Sequence, residues 1–129
     1  LDNFKPLNDF LGHQAGDDCL KLAARIIGSN CRKIDLAARF GGDEFGILMP
    51  HTSPEDAVQV GERIARAFSE AVQQIFPEVS TSMSVGVSHL NISRPSTAKE
   101  LVAHADLAMY QSKKKRNRVS LASYSTRAA

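Results

Sequence analysis

The 129 residues carry 43% hydrophobic and 23% charged side chains, enough for one folded core and too apolar for a disordered chain. A net charge of +2 is too mild to point to nucleic acid, and no apolar run approaches the roughly 20 residues that a bilayer span requires. Cys19 and Cys31 lack a CxxC spacing, which argues against structural zinc and a disulfide scaffold and suits a reducing cytoplasm.

The chain opens on Leu1-Asp2-Asn3-Phe4-Lys5, with no initiator methionine and no signal sequence, and so reads as a piece of something longer. From Asp17 to Ile27, apolar residues at Cys19, Leu20, Leu22, Ala23, Ile26 and Ile27 predict an amphipathic helix. Asp17 or Asp18 is placed to cap its start and Gly28 to close its end. Asp35–Phe40 and Phe45–Met49 then read as strands around the turn Gly41-Gly42-Asp43-Glu44. Ser53, Pro54 and Asp56 start a second helix whose apolar face is Val60, Ile64, Ala67, Phe68, Ala71 and Val72.

Val79 to Ser88 alternates strictly, with Val79, Thr81, Met83, Val85 and Val87 on one face and only serine and glycine on the other. Such small residues let a backbone, helix or ligand approach closely. Thr97 and Glu100 open a third helix with Leu101, Ala105, Ala108 and Met109 as its buried stripe, and Arg118 to Ala122 suggests a short last strand. One strand added before Leu1 turns this order into βαββαβ, an α+β, ferredoxin-like core with helices on one side of an antiparallel sheet and its first, central strand missing from the chain. The expected domain is 1–122, followed by a flexible tail over 123–129.

Gly41-Gly42-Asp43-Glu44 is the stretch most open to chemistry. A hairpin turn alone explains two glycines and two solvated carboxylates. Alternatively, the glycines admit a phosphate close to the backbone while the carboxylates supply hard oxygen ligands for Mg²⁺.

With Phe45 the tetrapeptide spells GGDEF, and the chain resembles the GGDEF-domain diguanylate cyclases. Asp2-Asn3-Phe4-Lys5 with Asn8-Asp9 is similar to the family's DxFKxxND, and Gly12-His13 with Gly16-Asp17 to its GHxxGD. Arg32 to Asp35 matches an RxxD, Ser84-Val85-Gly86-Val87 an S-[IV]-G-V strand, and Ala105-Asp106, Tyr110 and Lys113 the late AD…Y…K helix. The resemblance runs from Leu1 to about Val119. It implies the palm-type fold of class III nucleotidyl cyclases and polymerases, which agrees with the element order.

It also implies a reaction, the condensation of two GTP molecules to cyclic di-GMP with release of two pyrophosphates. The two half-sites would face each other in a homodimer, with Mg²⁺ or Mn²⁺ as cofactor. By the resemblance Asp43 and Glu44 bind metal together with the Leu1 carbonyl, and one of the two carboxylates helps deprotonate the 3′-hydroxyl. Gly42 admits the α-phosphate, Asn8 and Asp17 read guanine, and Phe4 and Lys5 lie along the phosphates. Taken singly, Asn8 is a turn residue, Asp17 a helix cap, Phe4 a core anchor and Lys5 a solvated lysine; His13, with no metal-type partner, reads as structural.

Lys113 and Arg116 would hold the terminal phosphates, although the family's K-x-x-G-R-N is here Lys113-Lys114-Lys115-Arg116-Asn117, so that Lys114 competes for the first role. A basic helix end favoured by the dipole is the plain alternative. Arg32, Asp35 and Arg63 resemble the inhibitory site at which product docks away from the GTP pocket. The family's first metal-binding aspartate falls one position before Leu1, so this chain by itself is expected to bind Mg²⁺ poorly while its parent is active.

The implied setting is cytoplasmic, or the cytoplasmic part of a membrane-anchored bacterial protein, with an upstream sensory or receiver domain and with neither nucleic acid nor membrane as partner of the domain. A catalytically silent GGDEF module that binds GTP or cyclic di-GMP is the first competing reading. An RNA-recognition module is the second, disfavoured by the absence of aromatics from the Val79–Ser88 strand.

Overall fold

The computed structural model describes residues 1–115 and 118–123. Apolar Phe4, Leu7 and Leu11 wind the opening segment into helix α1 (Phe4–Leu11), an element the sequence analysis does not anticipate. Pro6 lies in its first turn, where a missing N–H costs nothing. Helix α2 (His13–Ser29) begins four residues before the expected Asp17, after Gly12 at φ 92°. Asp17 is therefore an exposed residue inside the helix and not its cap. Gly28 is also inside, and the end is closed by Asn30, whose Nδ2 donates to the Ile26 carbonyl at 2.8 Å.

That correction has a measurable consequence. Gly28 is exposed, and a Cβ built on it meets nothing within 4 Å. Gly28→Ala is expected to stabilise the fold by a few tenths to about 1 kcal/mol, because glycine in a helix costs backbone entropy. A glycine closing the helix in the left-handed region would give the opposite sign, and denaturant midpoints decide between them.

Strands β1 (Leu36–Gly41) and β2 (Glu44–Leu48) form the expected antiparallel hairpin, with Leu36 opposite Leu48, Gly41 opposite Glu44, and a bulge at Phe40. Helix α3 (Pro54–Ile75) starts as predicted, the Ser53 hydroxyl accepting from the Asp56 amide at 3.1 Å. The same device opens α4 (Ala98–Lys113), where Thr97 Oγ1 accepts from the Glu100 amide at 3.1 Å. Leu7, Cys19, Leu22, Ala23 and Ile27 pack with Ile64, Ala65, Phe68 and Val72 of α3 and with Met83 to make the core.

Two expectations for the sheet change. The long strand over Val79–Ser88 is regular only as β3 (Val85–Val87), which pairs in parallel with β4 (Val119–Leu121). Upstream of it, Ser82 makes a single antiparallel bridge with Asp2. The sheet is thus two ladders, β1–β2 and β3–β4. Leu1 and Asp2 lie between them, the Leu1 nitrogen donating to the Asp43 carbonyl at 2.8 Å and the Asp2 amide to the Ser82 carbonyl at 2.7 Å.

Nor are all helices on one side. Gly61 of α3 lies against Val85 and Val119, whereas the neighbouring Gly86 lies directly under the α4 backbone at the Ala105 carbonyl and the Met109 amide. Adjacent strand residues point to opposite faces, so α3 and α4 cover opposite sides of β3. The small-residue face predicted from the sequence is what admits α4.

Burial also fixes the state of Cys19, whose thiol is fully buried and pushed up to about 11 from an ordinary 9.0. The raised pKa means that the folded state keeps its proton where the unfolded chain loses it, so stability present below about pH 9 drains away as the pH climbs towards 11. Compared with Cys19→Ala in denaturant titrations, the wild-type advantage should shrink over that interval by about 1–3 kcal/mol. At neutral pH the native thiol should resist alkylation.

Candidate active site

The hairpin turn places Gly42 at φ +53° after Gly41 at φ +134°, conformations that side chains rarely adopt. Arg39, immediately before the bulge, locks this turn by donating from Nε and Nη2 to the Gly42 carbonyl at 3.0 and 2.7 Å. The Leu1 nitrogen bonds the next carbonyl, that of Asp43. The first residue of the chain and the Asp43-Glu44 pair are thereby neighbours, with the Asp43 side chain half-exposed and Glu44 exposed to solvent. Among the described residues, no three His, Cys, Asp or Glu side chains gather into a metal set. The donors at hand are two adjacent carboxylates, hard oxygens both, and Mg²⁺ is commonly bound by one or two carboxylates plus phosphates and water. The residues fit that ion.

Asn8 and Asp17 come together through the α1–α2 corner. The Asn8 side chain rests on Gly16 so closely that a Cβ there would overlap its Oδ1, and Asp17 is the next residue along. The Gly12 amide returns to the Asn8 carbonyl at 2.8 Å, holding the corner. Phe4 is packed against the core and Lys5 is exposed beside it on the first turn of α1. His13 is exposed at the start of α2.

At the end of α4 the two competing lysines diverge. Lys113 Nζ lies 3.8 Å from Asp2 Oδ1, whereas Lys114 Nζ lies over the Tyr110 ring, 5.2 Å from its centroid. Lys113 is therefore the lysine turned towards Leu1 and Asp2. Arg116 lies outside the described residues.

Arg32 and Asp35 form a second cluster, and Arg63 bonds Asn30, two residues before Arg32 in the chain. Arg32 grips Asp35 from Nε and Nη2, the latter at 2.8 Å, while its own amide donates to Asp35 Oδ2 at 2.7 Å. Nη2 also reaches the Pro50 carbonyl and Thr52 Oγ1, and Arg63 Nε donates to Asn30 Oδ1 at 2.6 Å. The side-chain hydrogen bonds from Arg32, followed by the bond from its amide, hold the Asp35 carboxyl below the usual carboxylate range. This cluster sits where β1 begins, and the turn sits where it ends. Six residues of strand therefore separate the two clusters, roughly 15–20 Å.

Sequence reasoning overlooked Asp2, Ser82 and Ser84 as site residues, and Asn30 and Thr52 as partners of the arginines. Their signal is tertiary, since each acts on a residue remote from it in the chain. Only the all-small face of the Val79–Ser88 segment marked that something must come close there.

The family model described as "Diguanylate cyclase, GGDEF domain" matches residues 1–118. Diguanylate cyclase A of Treponema denticola is 42% identical over 123 residues, covering 94% of this chain and 33% of the relative. The chain thus spans about a third of that curated relative. The isolated GGDEF domain of PA1120 (TpbB or YfiN) from Pseudomonas aeruginosa superposes with a TM-score of 0.81 at 32% identity, covering 98% of this chain and 75% of that one. The GGDEF domain of DgcB from Caulobacter crescentus, solved in complex with c-di-GMP, gives 0.74 at 27% identity, covering 94% and 72%.

Proposed function

The chain belongs to the GGDEF family, whose model spans residues 1–118, and from that premise we propose that it is the cyclase domain of a diguanylate cyclase. Each domain holds one GTP, and two domains facing each other as a homodimer complete the site. The 3′-oxygen of one GTP bonds to the α-phosphorus of the other, the bond to the bridging oxygen breaks, and pyrophosphate leaves. The hydroxyl proton passes to a carboxylate of Asp43 or Glu44. The same exchange in the other direction closes the ring and releases the second pyrophosphate.

The observation that carries this reading is the intact turn, held open at Gly42 by Arg39 and joined to Leu1 through the Asp43 carbonyl. Asp43, Glu44 and the Leu1 carbonyl would hold Mg²⁺ (or Mn²⁺), which neutralises developing phosphate charge when bound. Asn8 and Asp17 offer an amide and a carboxylate to the guanine edge, Phe4 and Lys5 flank the phosphates, and Lys113 and Arg116 take the terminal ones. An upstream sensory or receiver domain in the parent protein would set activity, in a cytoplasmic location. No described helix is long and apolar enough to cross a membrane.

The test is incubation of the full-length parent protein with GTP and Mg²⁺ and chromatography for cyclic di-GMP. A product peak supports the cyclase. Nucleotide binding without product supports instead the silent signalling module, for which the altered Lys113–Asn117 run is the one favourable feature.

Arg32, Asp35 and Arg63 form the proposed inhibitory site. The Arg32 side chain is anchored by bonds to Asp35, the Pro50 carbonyl and Thr52 Oγ1, which lowers the ordering cost of docking guanine or phosphate oxygens against it. Arg32→Ala is expected to raise the product concentration for half-inhibition by at least tenfold, with the initial rate unchanged. Progress curves with and without added cyclic di-GMP measure this, and an unshifted inhibition curve would move the inhibitory site elsewhere.

A further inference from the structure

We infer that Asp2 is a positioning residue that sets the phosphate arm Lys113 against the Asp43-Glu44 turn, a role that rests on the cyclase reading. Asp2 is buried, 7% exposed, in a place where a lone carboxylate would be costly. Its Oδ2 accepts from the hydroxyls of Ser82 at 2.8 Å and Ser84 at 2.7 Å, which fix the plane of the carboxylate. Oδ1 is thereby aimed at the Lys113 ammonium, 3.8 Å away.

At that distance Lys113 is attracted but not spent. Its side chain keeps 38% of its exposure, so its N–H donors remain available to a phosphate. The backbone of Asp2 pairs with Ser82 in both directions, and its predecessor Leu1 bonds the Asp43 carbonyl. Leu1 and Asp2 together therefore tie the end of α4, the strand segment 82–84 and the Asp43-Glu44 turn into a single frame. A lysine on a flexible four-carbon stem gains from such an anchor, because the anchor lowers the ordering cost that a ligand must otherwise meet.

The experiment measures GTP and GMP binding by calorimetry in Asp2→Asn, Lys113→Ala and the double variant of the full protein, with thermal melts in parallel. If Asp2 acts through Lys113, Asp2→Asn weakens GTP about fivefold and leaves GMP unchanged, since GMP lacks the terminal phosphates that Lys113 holds. The double variant is then no weaker than Lys113→Ala alone. Ser84→Ala, which keeps the carboxylate but removes one of the two hydroxyl bonds to its Oδ2, should shift the GTP-to-GMP ratio in the same direction by a smaller factor, and serves if Asp2→Asn fails to fold. An unchanged ratio with a lowered melting point would make Asp2 merely structural and overturn the inference. So would tighter GTP binding, which would make Asp2 a competitor of phosphate, or multiplying effects in the double variant. Wild-type protein that neither binds GTP nor forms product would defeat the cyclase reading itself, and the inference with it.

Discussion

Glu44→Ala or Asp43→Ala should abolish cyclic di-GMP formation, lowering kcat by about 10³-fold or more while GTP still binds. The reason is positional. The turn exposes these carboxylates at the tip of a hairpin whose backbone is held by Arg39 and Leu1, so removing a side chain leaves the frame intact. The guanine contacts assigned to Asn8 and Asp17 arise from the α1–α2 corner, a separate part of the chain, and should survive. Chromatographic product analysis beside a nucleotide-binding titration separates the two effects. Full activity in both variants would remove the turn from the chemistry. Loss of binding together with activity would instead show that the carboxylates hold the nucleotide through metal.

Gly86→Ala should be the most damaging single methyl in the protein. A Cβ on Gly86 would overlap the Ala105 carbonyl and the Met109 amide of α4, which are backbone atoms that cannot swing aside. The helix must lift, and the cost is expected to reach about 3 kcal/mol or more. Lifting α4 also withdraws Lys113 from Asp2 and strains the bonds from the buried Ser112 hydroxyl to the Val85 carbonyl and to Ser120. Stability and nucleotide binding should therefore fall together. A denaturation curve is the first measurement, and a variant as stable as wild type would mean that α4 can slide over the strand. Gly28→Ala is the matched contrast, the same chemical change in open space with the opposite expected sign.

The legible parts of this protein were those in which a residue's role depends on its near neighbours. The Ser53 and Thr97 caps, the stripe of α3 and the glycine-punctuated hairpin are all local, and the structure reproduces each of them. The GGDEF turn was legible for the same reason, since its glycines, its carboxylates and the flanking Arg39 and Phe45 are consecutive. Errors arose where a local signal had two meanings. The opening segment is assigned no element, so α1 goes unseen, although Pro6 in a first turn breaks nothing. Gly28 reads as a helix stop, but Asn30 caps the end just as well and the helix runs past the glycine.

By itself, then, the sequence determined the order of elements from α2 onward, the Ser53 and Thr97 caps, the amphipathic faces and the identity of the signature turn, because these follow from backbone preferences and periodicity within a few residues. Tertiary structure alone decided that Asp2 meets Lys113, that Arg63 reaches Asn30, that Asn8 rests on Gly16, and that α4 covers the opposite face of β3 from α3. Those contacts join distant segments through packing and charge. Which pairs meet depends on how the whole core closes around Phe68, Leu7 and Val72, and no window along the chain contains that information.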